Sequence, residues 1–100
     1  MEYFSIGQIV KSNSGRDKNK LFIVTRLSEN GYVYVVDGES RTVQKPKRKN
    51  TKHLYDMKHV ASIQIDEKTK DPNSLNATIR KELKRLGNEM EENSLCLKKT

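Results

Sequence analysis

At 100 residues and 11.6 kDa the chain has room for one domain with a modest core. Hydrophobic and charged residues each make up 33%, the mean hydropathy is -0.89 and the net charge is +7, so the balance excludes a membrane-spanning chain and suits a polyanionic partner: nucleic acid, an anionic surface or an acidic protein. The single cysteine, Cys96, excludes an internal disulfide and fits a reducing, cytoplasmic setting.

The opening MEYFSIGQIV has no basic leader and no small-residue cleavage pattern, so no secretory signal is expected. Residues 6–12 (IGQIVKS) begin with apolar alternation and predict a first strand, followed by the polar loop NSGRDKNK. LFIVTRL at 21–27 is β-branched and aromatic, bounded by turn formers, and predicts a buried strand. SENG at 28–31 ends in Asn30-Gly31, the dipeptide that best tolerates two successive positive φ angles. YVYVV at 32–36 then completes a hairpin, with a further turn at Asp37-Gly38. RTVQ at 41–44 is a third strand candidate, and Pro46 in the following basic run belongs on an edge or in a loop. The last strand is expected at VASIQI, residues 60–65, with His53-Leu54 closing the side of a barrel. The fold class is therefore mainly β: a small barrel over residues 1–65.

DEKTKDPNS at 66–74 reads as a linker, 75–92 as an amphipathic helix and 93–100 as a flexible tail. Leu75, Ile79, Leu83, Leu86 and Met90 fall on one arc of that helix, with Arg80, Lys81, Lys84 and Arg85 on the other side. Asn73, Ser74 and Asn76 are each competent N-caps. The apolar arc has two readings: it docks on the barrel and covers a strand edge, or it binds a protein partner.

Residues 1–60 hold twelve Lys/Arg against six Asp/Glu, and residues 61–100 hold eight against seven, so the excess positive charge lies in the barrel. Arg41, Lys45, Lys47, Arg48, Lys49 and Lys52 form a run containing no acid, and the first loop adds Lys11, Arg16, Lys18 and Lys20 against Asp17 alone. A charge run is ordinarily a solvated face. Two runs flanking the strands of one small barrel repel each other, and that cost favours a phosphate backbone between them.

The segment IGQIVKSNSGRDKNKLFIVTRL resembles the KOW motif of ribosomal proteins and transcription elongation factors, through Gly7-Gln8-Ile9-Val10, Gly15-Arg16-Asp17-Lys18, Lys20 and Phe22-Ile23-Val24. In such a loop Gly15 supplies a backbone conformation other residues resist, while backbone N–H groups and basic side chains face phosphates. The family's usual glycine between the last two basic residues is Asn19 here, the next residue most tolerant of positive φ. ENGYVYVVDGESRTVQKPKRKNTKHL further resembles the continuation in a large-subunit ribosomal protein of archaea and eukaryotes, and in small bacterial KOW-domain RNA-binding proteins. The resemblance covers residues 5–65 and implies an SH3-like barrel, RNA binding and ribosomal association.

No CxxC, HExxH, GxGxxG or GxxxxGK[ST] occurs, and His53 and His59 have no convergent acid or cysteine, so no metal site, cofactor or catalytic centre is expected. Phe22 belongs to the core. Tyr32 and Tyr34 share a strand face that either packs across strands or stacks on an unpaired base; Tyr55, beside the basic run, is the stronger stacking candidate. The expectation is a non-catalytic, monomeric binder of structured RNA. Lys11, Gly15, Arg16, Lys18 and Lys20 would contact RNA from the first loop, and Arg41, Lys45, Lys47, Arg48, Lys49, Lys52, His53 and Tyr55 from the second segment. The rival is an SH3-like protein-interaction module tethering a translation or transcription factor through its helix.

Overall fold

The computed structural model describes residues 4–65 and 69–98, with side chains through Gly87. Five strands follow in chain order: β1 (Gln8–Ser12), β2 (Leu21–Leu27), β3 (Tyr32–Val36), β4 (Lys47–Asn50) and β5 (Leu54–Val60), then one helix, α1 (Pro72–Lys98). Short 3-10 turns at Gly15–Asp17 and Thr51–His53 precede β2 and β5. All pairings are antiparallel and the strand order is β4-β3-β2-β1-β5. The result is a small barrel-like β fold with a C-terminal helix.

Strand alternation divides the apolar residues between two cores. Val10, Phe22, Val24, Val33, Val35 and Leu54 point inward with Phe4. Ile9, Ile23 and Val36, of opposite parity, meet Ala61, Ile79, Leu83 and Leu86 beneath the helix. The apolar run of β2 is thus buried on both faces, which is why it alternates so little. Each fully buried aliphatic or aromatic side chain contributes about 1.5–3 kcal/mol. The β2–β3 turn adopts two positive φ angles, 61° at Asn30 and 77° at Gly31, as Asn-Gly in that turn predicts.

Three expected elements fall elsewhere. RTVQ at 41–44 is not a strand: Thr42 and Lys45 form an isolated bridge, and the Val43 N–H donates to Asn76 Oδ1 at 2.8 Å rather than to a ladder. The strand at that place is β4, inside the basic run, paired with Tyr32–Val35. The final strand is LYDMKHV, not VASIQI, because β1 pairs with residues 54–60 while Ile63 and Ile65 turn under the helix. The helix starts at Pro72 instead of residue 75 and runs to Lys98 instead of 92, so residues 93–98 are helical backbone and not a loose tail. Its start is set by Asp71, whose Oδ1 accepts from the Ser74 N–H at 3.2 Å, with Pro72 at the first helical position, where no N–H is needed.

Asn76 is therefore not a cap. It is 5% exposed, and its Nδ2 donates to Gln44 Oε1 at 2.7 Å while its Oδ1 holds Val43. Leu75, Ile79, Leu83 and Leu86 dock on the protein's own sheet, but over Ile9, Ile23 and Val36 of the inner strands β1–β3 and not over an edge strand as expected. Gly38 fits the turn after β3 against this helix: a Cβ there would meet the Asn76 carbonyl oxygen at 2.3 Å. The middle of the linker (66–68), residues 99–100, Tyr3 and the side chains of Met90 and Cys96 lie outside the described residues. Among the described residues no helix is long and apolar enough to cross a membrane.

Candidate nucleic-acid interface

The loop between β1 and β2 closes on itself through backbone bonds. The Ser12 N–H donates to the Lys20 oxygen at 3.0 Å and the Asn19 N–H to the Ser12 oxygen at 2.8 Å. Inside this neck the Lys18 N–H reaches the Gly15 oxygen at 3.2 Å and the Lys20 N–H reaches the Asp17 oxygen at 2.9 Å. Two positive φ angles make the path closable: 73° at Gly15 and 74° at Asn19, so asparagine does adopt the conformation expected of it. The fold leaves Gly15, Arg16, Lys18 and Lys20 exposed on the outside of the loop.

Asp17 turns the other way. It accepts from Lys47 Nζ at 2.5 Å, and this partner, ahead of the counteracting cost of burial, holds its carboxyl below the ordinary value of 3.8. The loop is also joined to the chain before β5: the Asn13 N–H donates to the His53 oxygen at 3.0 Å and Asn13 Nδ2 to the Lys52 oxygen at 3.4 Å. The two basic segments are therefore stitched side by side. The acid between them is consumed in the stitching.

Strand alternation splits the second segment. Lys47 and Lys49 lie opposite Val35 and Val33, on the inward-facing parity of β4. Lys49 is only 8% exposed, and its Nζ donates to Ser12 Oγ at 2.5 Å while that hydroxyl donates to the Ser14 oxygen at 3.0 Å. Burial first, then repulsion from Lys47, lowers its ammonium below the ordinary lysine value, with Asp17 opposing. Lys47 and Lys49 thus brace the first loop: Lys49 is buried, and Lys47, half-buried, has its charge paired with Asp17. The sequence gives no sign of this, because KRKN carries no apolar alternation from which to assign sides.

Arg48 and Lys52 remain exposed, and His53 is half-buried with its carbonyl tied to Asn13. Tyr55 is 59% exposed and pairs across β1–β5 with half-buried Lys11. Lys45 is exposed, its N–H donating to the Thr42 oxygen at 3.0 Å, and Arg41 is exposed in the turn organised by Asp37. That carboxylate accepts from the N–H groups of Glu39 and Arg41, each at 2.8 Å, and from Ser40 Oγ at 2.8 Å. Burial alone would raise its pKa, but these donors outweigh it and hold the carboxyl below its ordinary range. A shallow cavity of about 360 Å³ lies beside the contact of this turn with the helix, lined by Lys20, Asp37, Glu39, Arg80 and Lys84 among others.

One pair of contacts escaped sequence reading. On the outward parity, Arg48 stacks 4.0 Å over the Tyr32 ring and Arg26 lies 5.6 Å from the centroid of Tyr34. A register shift between Val24 and Arg26 sets Arg26 opposite Tyr34, and no sequence signal announces that bulge. Among the described residues no group of three His, Cys, Asp or Glu side chains could hold a metal ion. Comparison with protein-family models and with curated proteins finds no match to this chain.

Proposed function

We propose that this protein is a non-catalytic RNA-binding protein, an SH3-like barrel of KOW type that works in the cytoplasm in association with the ribosome. The observation that carries the reading is the direct junction of the 12–20 loop with the β4–His53 segment, through Asn13 to His53 and Asp17 to Lys47. It joins the loop carrying exposed Arg16, Lys18 and Lys20 to the segment carrying exposed Arg48 and Lys52, which supports their acting on one phosphate backbone. Lysine-rich contacts to phosphate carry little base information, so such a surface positions an RNA by backbone shape. The rival role, tethering a protein through α1, lacks an available apolar face as far as Leu86, since that arc is engaged within the chain.

The test compares two kinds of cation. The triple variant Arg16→Ala, Lys18→Ala, Lys20→Ala and the single variant Lys49→Met are titrated with a labelled structured RNA at fixed salt. Loss of three phosphate contacts weakens binding by about tenfold or more, whereas Lys49→Met, losing only an inward ammonium, stays within about twofold. Equal effects from the two, or none from the triple variant, would sink the reading. Co-sedimentation of the protein with ribosomes in a lysate gradient tests the association.

A further inference from the structure

The outward surface of the sheet is shared between two uses. The helix covers Ile9, Ile23 and Val36, but the rows at the far end of β2 lie beyond that apolar cluster. There the register sets Arg26 beside Tyr34 and Tyr34 beside Arg48, one row across three strands, with Tyr32 beside Asn50 in the next. No acid occupies any of these positions. Arg26 and Arg48 are exposed, Tyr32 and Tyr34 half-buried, and among the described residues neither arginine belongs to an ion pair.

Cross-strand packing alone explains an aromatic beside an arginine. It does not explain two arginines laid on two rings with no carboxylate at the paired positions of these rows, in a chain already carrying a net charge of +7. A guanidinium resting on a ring is held flat, keeps its donors in one plane and leaves its second face open to another flat π-system. The same strand serves both sides of the sheet: Lys47 and Lys49 turn inward to Asp17 and Ser12 and brace the first loop, while Arg48 between them turns outward onto Tyr32.

We propose that Arg26, Tyr32, Tyr34 and Arg48 form a stacking platform for unpaired bases of the RNA whose backbone the neighbouring loop holds. The proposal rests on the RNA-binding reading above and narrows it: the ligand is RNA with a looped or single-stranded segment beside a helix, not continuous duplex. Every base has a π-face, so the platform tolerates sequence, and the planar donors of Arg48 can add a preference for a purine edge.

The probe is an RNA hairpin carrying 2-aminopurine in its loop, compared with a fully paired duplex of the same stem. Tyr32→Leu with Tyr34→Leu weakens hairpin binding by about tenfold and removes the fluorescence change of the stacked base, while duplex affinity stays within about twofold. Tyr32→Phe with Tyr34→Phe keeps both rings and binds as the parent does. Arg48→Lys, on an exposed site that does not threaten folding, preserves charge yet weakens hairpin binding several-fold. Parallel losses for hairpin and duplex, or full retention of both by the leucine variant, overturn the platform. So does displacement of the hairpin by a polyglutamate peptide at matched charge, which would give the face to an acidic protein. If the Arg16, Lys18 and Lys20 variants are silent while the tyrosine variants lose the hairpin, the phosphate-grip reading fails and the platform stands.

Discussion

Gly15 and Gly38 both hold positive φ, 73° and 81°, yet they answer to different constraints. A Cβ on Gly15 would find nothing within 4 Å, whereas one on Gly38 would press on the Asn76 oxygen at 2.3 Å and the Arg80 nitrogen at 2.9 Å. Gly15→Ala is therefore expected to cost about 1 kcal/mol of φ strain alone. Gly38→Ala should cost about 2–4 kcal/mol, because strain adds to a displaced helix. Urea unfolding of the two variants checks both the order and the gap. At Asp17 the relevant variable is pH. Its folded-state value lies below the ordinary 3.8, so its contribution is present above that pH and is lost as pH falls through the folded value. Asp17→Asn should lower stability near neutrality and flatten the acid side of the stability–pH curve. Asp37, also depressed, keeps part of that slope in the variant. Unfolding midpoints at pH 3 and pH 6 test the sign.

At the scale of elements, α1 is a structural part of the domain and not an appendage. Ile79 is 0% exposed in the outer core, and Ile79→Ala should cost about 2–5 kcal/mol, while Lys81→Ala on the solvent side should change stability by less than about 0.5 kcal/mol. Thermal unfolding distinguishes them. Truncation after Ile65 would uncover Ile9, Ile23 and Val36, so it cannot serve as a neutral way to remove the helix. The β2–β3 hairpin was fully legible because LFIVTRL, YVYVV and Asn30-Gly31 agree on one local answer. β4 was not, since KRKN owes its extended form to pairing with Tyr32–Val35 and to nothing in its own composition. VASIQI misled for the opposite reason: it alternates well, but Ile63 and Ile65 satisfy their burial beneath α1 without a ladder. The helix face was readable from its spacing, whereas Asn73, Ser74 and Asn76 stood as equal cap candidates, because a polar residue near a helix start suits capping and docking equally well. Of the candidate site, the exposure of Arg16, Lys18 and Lys20 on the first loop was legible, whereas the inward turn of Lys47 and Lys49 and the pairing of Arg26 with Tyr34 depend on register.

Taken whole, the molecule concentrates its surplus charge on the barrel, with residues 61–100 nearly balanced at eight Lys/Arg against seven Asp/Glu. Binding through that surface releases condensed counterions. Engagement of about four to six phosphates predicts a slope of about -3 to -5 in log affinity against log salt. Titrations between low and moderate salt measure it directly, and a flat dependence would contradict the phosphate grip. The docking of α1 across β1–β3 also sets a timetable for synthesis. Ile9, Ile23 and Val36 are made first, and Ile79, Leu83 and Leu86, which cover them, follow only after the rest of the sheet has been translated. At about 5–20 residues per second the nascent chain carries a sticky, uncovered sheet for several seconds before its lid is translated. This face of the sheet therefore stays uncovered until α1 has been translated, and that interval is when chaperones would matter most.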